Sequence, residues 1–296
     1  MGRVIAIMNQ KGGVGKTTTA LNLGAALAER GARTLLVDLD PQANLTRGLG
    51  VGPGEVTSSI YDVLSEPRAL LAEVVRPTKW DGLALAPSHL DLSGAEVEMV
   101  GMVARETRLK RALGALPDEY AFILIDCLPS LSLLSINAMV AAREIMVPMQ
   151  AHPFALEGLG KFFEVFDLVR ETLNPELKLS GVLLTMFDTR TNVSREVAEK
   201  LRTNPRIAPV IFRTVIRSNI RVAESQGAGV PVIHFDRRCA GAEGYRALAA
   251  EILGEAEEAA PPSAAEVPAP EPSAAVTADP PADGSVPPPE AQAAPR

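Results

Sequence analysis

Cysteine, histidine and long apolar runs are scarce in this sequence. Cys127 and Cys239 are the only cysteines, which excludes a disulfide framework, and the three histidines are too scattered for a zinc cluster. No apolar run reaches about eighteen residues, so we expect no transmembrane helix. We also recognise no secretory signal, and we therefore expect a protein of the reducing cytoplasm.

Acidic charge is concentrated at the C-terminal end of the chain. The formal net charge is −7, and residues 255–296 contain eight acidic residues and one basic residue, so this segment accounts for the whole excess. Residues 181–240 have the opposite balance, with ten Lys or Arg against five Asp or Glu. On charge alone, this local excess indicates either a basic binding surface or an ordinary solvated face.

The C-terminal segment differs from the rest in composition as well as in charge. Eleven of the 24 prolines fall between Pro261 and Arg296, where no apolar periodicity is found. Such a sequence buries too little apolar surface to offset its ordering entropy, so we predict a disordered, partly polyproline-like extension over 259–296. The chain is thus divided into a folded domain, 1–254, and an acidic Pro/Ala-rich tail, 255–296.

Short apolar runs alternate with helical patterns along residues 1–254. The runs are continuously apolar, which is typical of strands covered on both faces of a parallel sheet. We predict an α/β fold with a doubly wound, mostly parallel sheet flanked by helices, and ligands at the carboxyl ends of its strands. The predicted strands are Val4–Met8, Thr34–Val37, Leu83–Ala86, Phe122–Ile125, Ile145–Met149 and Leu179–Leu184. The predicted helices are 17–29, 94–114, 131–141, 155–172, 193–202 and 241–253.

A glycine-rich loop connects the first predicted strand to the first predicted helix. Gly12, Gly13 and Gly15 allow backbone amides to surround an anion, because a Cβ atom would block that approach. The helix adds its free N–H groups and the positive end of its dipole. Lys16 is placed to contact the β- and γ-phosphates of a nucleotide, and the Thr17 hydroxyl to ligate Mg²⁺. The pattern therefore predicts a P-loop NTPase.

Two further predicted strands end in carboxylates. Asp38 and Asp40 project to the same side of their strand end, next to the glycine-rich loop, although Asp residues before Pro41 are also common in turns. Asp126 closes an apolar strand in the Walker B pattern, in which the carboxylate binds Mg²⁺, usually through water. Cys127 beside it is interpreted as a small apolar filler rather than a redox group.

The segment from Lys11 to Thr18, KGGVGKTT, resembles the deviant Walker A motif of the ParA/MinD ATPases, with Gln10 where the ordinary pattern has glycine. The segment from Asp38 to Gln42 resembles the family's D-x-D-P-Q. Leu128 and the segment from Gln150 to Pro153 depart from the family pattern. Further similarity to the ParA/Soj branch is found at 95–98, 108–113, 154–158 and 181–185.

The resemblance implies an ATPase that binds ATP and Mg²⁺ and closes into a sandwich dimer, with Lys11 contacting the partner's nucleotide. It assigns catalysis to Lys11, Lys16 and Asp40, with Asp40 positioning the attacking water and Asp38 in a structural role. Thr17 and Asp126, the latter through water, would hold the metal. The implied ATP contacts are Lys11, Gly12, Gly13, Val14, Gly15, Lys16, Thr17, Thr18 and Asn219.

In relatives of this kind the dimer binds double-stranded DNA without sequence preference, and a ParB-type partner stimulates hydrolysis. The resemblance therefore implies a nucleoid-associated protein and selects Arg190 and Arg221 as contacts to the DNA backbone. Weaker candidates are Arg195, Lys200, Arg202 and Arg217.

Asn219 admits two interpretations. Its amide could recognise the adenine edge, or it could cap the helix that begins near Ile220, which is the ordinary use of such a residue.

Other functions share parts of this pattern. A MinD-like membrane ATPase would require a basic amphipathic C-terminal helix, which the acidic tail lacks. An iron–sulfur reductase would require paired cluster cysteines. A relative that positions a cargo other than DNA would differ only in its partner.

Overall fold

Eight strands form one sheet in the computed structural model, which describes residues 2–152 and 159–255. The strands are Arg3–Ile7 (β1), Thr34–Leu39 (β2), Arg76–Pro77 (β3), Leu83–Ala86 (β4), Phe122–Cys127 (β5), Glu144–Gln150 (β6), Lys178–Phe187 (β7) and Ile211–Arg217 (β8). Their order across the sheet is β3-β4-β2-β5-β1-β6-β7-β8, and every pairing is parallel except β3 with β4. The predicted doubly wound, mostly parallel α/β sheet is confirmed.

The register of the sheet determines which residues meet at its carboxyl edge. β5 lies between β1 and β2, with Ile7 opposite Asp126 on one side and Asp38 opposite Asp126 on the other. Residues 8–15, which follow β1, therefore begin beside the end of β5. This pairing brings the predicted phosphate loop and both predicted carboxylate segments together, although they are up to about 120 residues apart in sequence.

Twelve helices occur within the described ranges. They are Lys16–Glu29 (α1), Asn44–Gly48 (α2), Ile60–Ser65 (α3), Leu71–Val74 (α4), Leu92–Met99 (α5), Arg108–Gly114 (α6), Leu133–Ala141 (α7), Leu159–Thr172 (α8), Asn192–Thr203 (α9), Ile220–Gly227 (α10), Val232–Phe235 (α11) and Ala240–Leu253 (α12).

The helices cover both faces of the sheet, which explains why the strands are continuously apolar. Successive residues of β1 alternate between two hydrophobic clusters, with Val4 and Ala6 in one and Ile5 and Ile7 in the other. The first cluster includes buried side chains of α3–α9, and the second includes those of α1, α2, α11 and α12. Both faces of each central strand are therefore shielded from solvent.

The predicted continuous helix over 94–114 is wrong. Helix α5 ends at Met99, Ala104 takes a left-handed conformation (φ 55°), and a 3₁₀ turn precedes α6. The side chain of Asn137 in α7 stabilises the interruption, because its Nδ2 donates to the Arg105 carbonyl (2.9 Å) and its Oδ1 accepts from the Leu109 amide (3.2 Å). A tertiary contact from another helix thus supplies the hydrogen bonds that a continuous helix would have made internally.

Two predicted segments lie wholly or partly outside the described residues. The helix predicted over 155–172 is observed from Leu159 to Thr172, and the family-like stretch at 154–158 is not described. The predicted tail is described only at Glu255. Within 2–152 and 159–255, no helix has the length and apolar character that crossing a bilayer requires.

Candidate active site

The loop between β1 and α1 has the backbone conformation that its glycines permit. Gly13 (φ 72°) and Gly15 (φ 87°) are left-handed, which other residues adopt only with strain. A Cβ atom at Gly12 or Gly13 would meet no atom within 4 Å, so the space above the loop is open. Gly15 provides no side-chain cap for α1, and the first-turn N–H groups of this 14-residue helix point into that space. The loop can therefore surround an anion at a helix N-terminus.

Side chains from neighbouring strands hold the loop in this shape. Asn9 Nδ2 donates to the carbonyl oxygen of Pro148 in β6 (2.7 Å), and Asn9 Oδ1 accepts from the Lys11 amide (2.9 Å). Thr185 Oγ1 in β7 donates to the carbonyl oxygen of the buried Val14 (2.8 Å). Neither of these supporting roles was predicted from the sequence; the available signal was a polar residue following an otherwise apolar strand.

The two lysines of the loop have different environments. Lys16 is 7% exposed, and its Nζ donates to the Lys11 carbonyl oxygen (3.2 Å). Burial lowers the pKa of Lys16, while the charges of Asp126, Cys127 and Asp40 oppose that shift. The Lys11 side chain is exposed. Lys16 is therefore fixed inside the site, whereas Lys11 can contact a separate molecule.

Asp126, the only acidic residue of β5, is fully buried, and the Thr17 hydroxyl and the Lys16 charge compensate its carboxylate only in part. Neither carboxylate oxygen makes a hydrogen bond of normal geometry within the described residues, although the Thr17 hydroxyl is near enough to lower the pKa. Burial is the main cause that raises the pKa of Asp126 well above its usual value, and the neighbouring Asp38 carboxylate raises it further. An orphaned buried carboxylate beside a hydroxyl has the chemistry of an incomplete cation site.

Asp38 is equally buried but saturated with hydrogen bonds. Its Oδ2 accepts from the Thr46 amide (2.8 Å) and the Thr46 hydroxyl (2.7 Å), and its Oδ1 accepts from the Asp40 amide (3.2 Å). Burial still outweighs these bonds and raises the pKa of Asp38 to about 6. This geometry supports the structural interpretation of Asp38, because the carboxylate holds the backbone of the Asp40 loop.

Asp40 faces the site at the end of β2. It is 8% exposed, and its Oδ1 accepts from the Gln42 amide (2.9 Å). Its Oδ2 makes no hydrogen bond to any residue that the structure describes, and the Asp40 charge acts on Lys16. One carboxylate oxygen is thus held in place while the other remains able to accept a hydrogen bond from water.

Thr17 and Asp126 fit a magnesium ion. Mg²⁺ is typically held by one or two protein oxygens together with phosphate oxygens and water, rather than by an all-protein cage. The orphaned Asp126 oxygens and the Thr17 hydroxyl provide that oxygen set beside the phosphate loop. Among the described residues there is no group of three or more His, Cys, Asp and Glu that could hold a metal by itself.

The cysteines lie in unrelated environments. Cys127 is buried in the first hydrophobic cluster, and Cys239 packs against the second cluster on the other face of the sheet, where it caps α12. Both are free thiols, and burial raises the pKa of Cys127 well above its usual value. This placement supports the interpretation of Cys127 as a packing residue and provides no paired cluster ligands.

Helix α10 contacts the start of α1 through the side chain of Gln226, a contact that was not predicted from the sequence. Gln226 Oε1 accepts from the Thr18 hydroxyl (3.1 Å). At the start of the same helix, Asn219 Oδ1 accepts from the Arg221 amide (2.9 Å), which is a regular helix cap. The capping interpretation of Asn219 is therefore observed, and base recognition would have to use its remaining amide group.

The predicted DNA-contacting arginines lie near the carboxyl ends of β7 and β8, and both already have acidic partners. Arg190 is 87% exposed and makes two hydrogen bonds to Asp188 (3.0 and 2.8 Å). Arg221 pairs with Glu224 (2.7 Å) and Asp236 (3.0 Å). The weaker candidates are exposed on α9 or at the end of β8: Arg195, Lys200, Arg202 and Arg217.

Comparison with known proteins identifies relatives over most of the chain. Residues 2–179 match the family described as an AAA domain. The chain is 46% identical over 253 residues to the chromosome partitioning protein ParA of Myxococcus xanthus (strain DK1622), covering 86% of this chain and 88% of that one. It is also 46% identical over 252 residues to the sporulation initiation inhibitor protein Soj of Bacillus subtilis (strain 168), covering 85% and 98%.

A solved structure shares both the fold and part of the sequence. Cobyrinic acid a,c-diamide synthase from Mycobacterium smegmatis, solved with bound ADP and magnesium, superposes with a TM-score of 0.75 at 37% identity, covering 86% of this chain and 94% of that one. The phosphate loop with its second lysine, the buried carboxylates around it and the extent of the sequence identity together show that the chain belongs to the ParA/Soj family of deviant Walker A P-loop ATPases.

Proposed function

We propose that this protein is a DNA-partitioning ATPase. It binds ATP and Mg²⁺, forms an ATP sandwich dimer, binds double-stranded DNA without sequence preference and hydrolyses ATP when a ParB-type partner stimulates it. The observation that carries the nucleotide part is the open glycine loop with Lys16 and the orphaned Asp126 carboxylate beside it. The similarity to ParA and Soj carries the partitioning part.

Nucleotide binding and hydrolysis rest on positioning and charge neutralisation. The amides of the loop and of α1 hold the phosphates, and Lys16 neutralises their charge. Magnesium, held by Thr17 and by Asp126 through water, would neutralise charge on the phosphate oxygens. Asp40 positions the attacking water with the carboxylate oxygen that its Gln42 contact leaves available. Intrinsic turnover is slow, since a partitioning ATPase requires a long-lived ATP state.

The exposed side chain of Lys11 supports the dimer. An inward-facing lysine would only add a second positive charge to the site that Lys16 already neutralises. The exposed Lys11 is instead available to a molecule that packs on the carboxyl edge of the sheet. In the sandwich dimer Lys11 contacts the phosphates bound by the partner. Sedimentation tests this role: Lys11→Ala is expected to bind ATP and stay monomeric, whereas the wild type dimerises with ATP. An ATP-bound Lys11→Ala dimer of normal stability would contradict it.

DNA binding is assigned to the basic edge, which we define as Arg190, Arg217 and Arg221. Backbone contacts need only cations on one side of the molecule, and a dimer doubles their number. Because Arg190 and Arg221 are ion-paired in the monomer, DNA phosphates must replace Asp188, Glu224 and Asp236 as their partners. Such exposed pairs contribute little free energy, so the exchange is inexpensive. The protein is then expected at the nucleoid in the cytoplasm.

A gel-shift series tests the DNA assignment. Wild type and Arg221→Glu are compared without nucleotide, with ADP and with ATP, at two salt concentrations. We expect retardation with ATP only, a steep loss of affinity with salt, and roughly tenfold weaker binding by Arg221→Glu. The matched control is Arg143→Glu, because Arg143 precedes the amino end of β6, away from the carboxyl ends of the strands, and is also ion-paired, to Glu176. Equal loss in both variants, or retention that ignores salt, would refute the assignment.

The ParB-type partner is tested separately. ATP turnover is measured with DNA alone and with DNA plus a ParB-type protein from the same genome, and stimulation is expected only in the second case. Stimulation by a different protein, encoded next to this one in the genome, would instead identify a relative that positions a cargo other than DNA.

A further inference from the structure

A small cavity of about 160 Å³ lies on the sheet face that α3–α9 cover, between the α3–α4 connection and α6. Val63, Leu70 and Leu71 form apolar walls, and Leu70 is 51% exposed at the rim. Arg108 and Arg111 of α6 line the other side. The lining includes no residue of the phosphate loop and none of the carboxylates around it, so this cavity is separate from the nucleotide site.

Of the two guanidinium groups of the cavity, that of Arg108 is incompletely satisfied, and that of Arg111 is exposed beside it. Arg108 and Arg111 are three residues apart on α6 and therefore share one side of the helix. The Nε atom of Arg108 is buried and has no hydrogen-bond partner, and neither arginine forms an ion pair among residues 2–152 and 159–255. Burial and the neighbouring Arg111 lower the pKa of Arg108, while Glu66 across the cavity opposes the shift without reaching ion-pair distance.

An anionic ligand would remove this cost. A buried donor left without an acceptor costs about 1–3 kcal/mol, and more for a charged group. A carboxylate matches the planar fork of a guanidinium and can accept two parallel hydrogen bonds from it. The apolar walls favour an anion that carries hydrocarbon over a fully hydrated inorganic ion, because only the former buries apolar surface in the cavity.

We propose that the cavity between the α3–α4 connection and α6 is a docking site for a Glu or Asp side chain flanked by apolar residues in a partner protein. The carboxylate binds between Arg108 and Arg111, and the flanking apolar side chain packs on Leu70. Charge complementarity selects an acidic segment, and the size of the cavity limits the contact to one side chain at its centre.

The experiment follows the Arg108 Nε–Hε resonance by NMR in the full-length protein, with ADP and Mg²⁺ added to occupy the phosphate loop. The probe is the peptide acetyl-Leu-Glu-Leu-amide, and its uncharged match is acetyl-Leu-Gln-Leu-amide. We expect a saturable shift with the Glu peptide and at least about tenfold weaker binding of the Gln peptide. Sodium phosphate at equal ionic strength is titrated in parallel.

Three variants define the site. Arg111→Gln is expected to weaken binding of the Glu peptide by about tenfold or more. Lys110→Gln removes a cation from the same helix that does not line the cavity, so it is expected to leave affinity unchanged. Glu66→Gln removes the competing carboxylate and is expected to strengthen binding. ADP affinity of all three variants, measured in parallel, reports whether the fold is intact.

The proposal is overturned if the Arg108 resonance does not respond saturably, if the Gln peptide binds equally well, or if Lys110→Gln weakens binding as much as Arg111→Gln. An equal response to phosphate would show an inorganic-anion site instead of a peptide site. None of these outcomes depends on whether the protein binds DNA. A failure of this proposal is therefore distinguishable from a failure of the proposed function.

Discussion

Cations at the phosphate loop and at the basic edge are held in opposite ways. Lys16 is buried beside carboxylates that accept few hydrogen bonds from the rest of the protein. Arg190 and Arg221, by contrast, are exposed and already have acidic partners. The buried site is therefore preorganised and electrostatically incomplete, and a phosphate with its cation completes it. At the basic edge, Arg190 and Arg221 already have acidic partners and, under the proposed function, would bind DNA by exchanging them. We expect large effects of substitution at the first region and small ones at the second.

The largest effect is expected for Lys16→Ala. Removing the buried ammonium group leaves the phosphate charge facing Asp126 and Asp40, so nucleotide affinity should fall by about 100- to 1000-fold. Calorimetric titration with ADP and Mg²⁺ measures this change. Lys11→Ala is the control within the same loop, and its ADP affinity should stay close to that of the wild type because its side chain is exposed. Similar losses in both would remove the distinction between the two lysines.

Asp40→Ala should reduce ATP turnover by about 100-fold or more while ATP and DNA binding persist. In the proposed mechanism the carboxylate positions water, whereas Lys16 and the loop amides that hold the phosphates are unchanged in this variant. Single-turnover kinetics with DNA and the stimulating partner measure the loss. Normal hydrolysis by this variant would assign the water-positioning role to another group.

Asp38→Asn should make the pH dependence of stability less steep. The folded pKa of about 6 lies above the unfolded value of 3.8, so the folded state holds a proton that the unfolded chain releases between these values, and stability falls as pH rises through this window. Asparagine has no such titration. Relative to the wild type, the variant should therefore gain about 2 kcal/mol in free energy of unfolding between about pH 4.5 and about pH 7.

Urea unfolding without nucleotide or Mg²⁺ measures the difference at each pH. The hydrogen bonds that asparagine loses to Thr46 shift the difference in free energy of unfolding by the same amount at every pH. Only the change of this difference with pH is therefore informative. A pH-independent difference would show that Asp38 does not titrate in this window.

The smallest effect is expected at the basic edge, where Glu224→Gln frees Arg221 from one of its partners. DNA affinity with ATP should rise by at most about fivefold, because exposed ion pairs contribute up to about 1 kcal/mol. Glu176→Gln is the control, since Glu176 pairs with Arg143 at the amino end of β6, away from the basic edge. An unchanged affinity in Glu224→Gln would mean that Arg221 does not have to leave Glu224 in order to bind DNA.

Most of the nucleotide site could be predicted from the sequence, because its chemistry is local. The order Gly12, Gly13, Gly15, Lys16 and Thr17 requires one loop conformation followed by a helix. The supporting contacts could not be predicted in this way. Thr185 and Gln226 reach the loop from positions more than 160 residues away, and their local sequence does not indicate which segment they contact.

The interruption of the predicted helix over 94–114 also depends on a contact from a segment distant in sequence. Gly101 in the interruption weakens a helix locally, but the break is stabilised by Asn137 of α7, which binds the backbone of Arg105 and Leu109. Similarly, the arginine excess over 181–240 was visible in the sequence, but the carboxylates that neutralise Arg190 and Arg221 were not identifiable as their partners.

By itself, the sequence determined the alternation of buried strands and helices, the conformation of the glycine loop and the identity of its charged groups. Each of these follows from properties of consecutive residues: apolar periodicity, backbone freedom and side-chain chemistry. Only the tertiary structure decided that β5 lies between β1 and β2, which places Asp38 beside Asp126 and leaves Asp126 without a hydrogen-bond partner among the described residues. Strand order and burial depend on contacts between distant segments, and such contacts form only when the whole sheet is assembled.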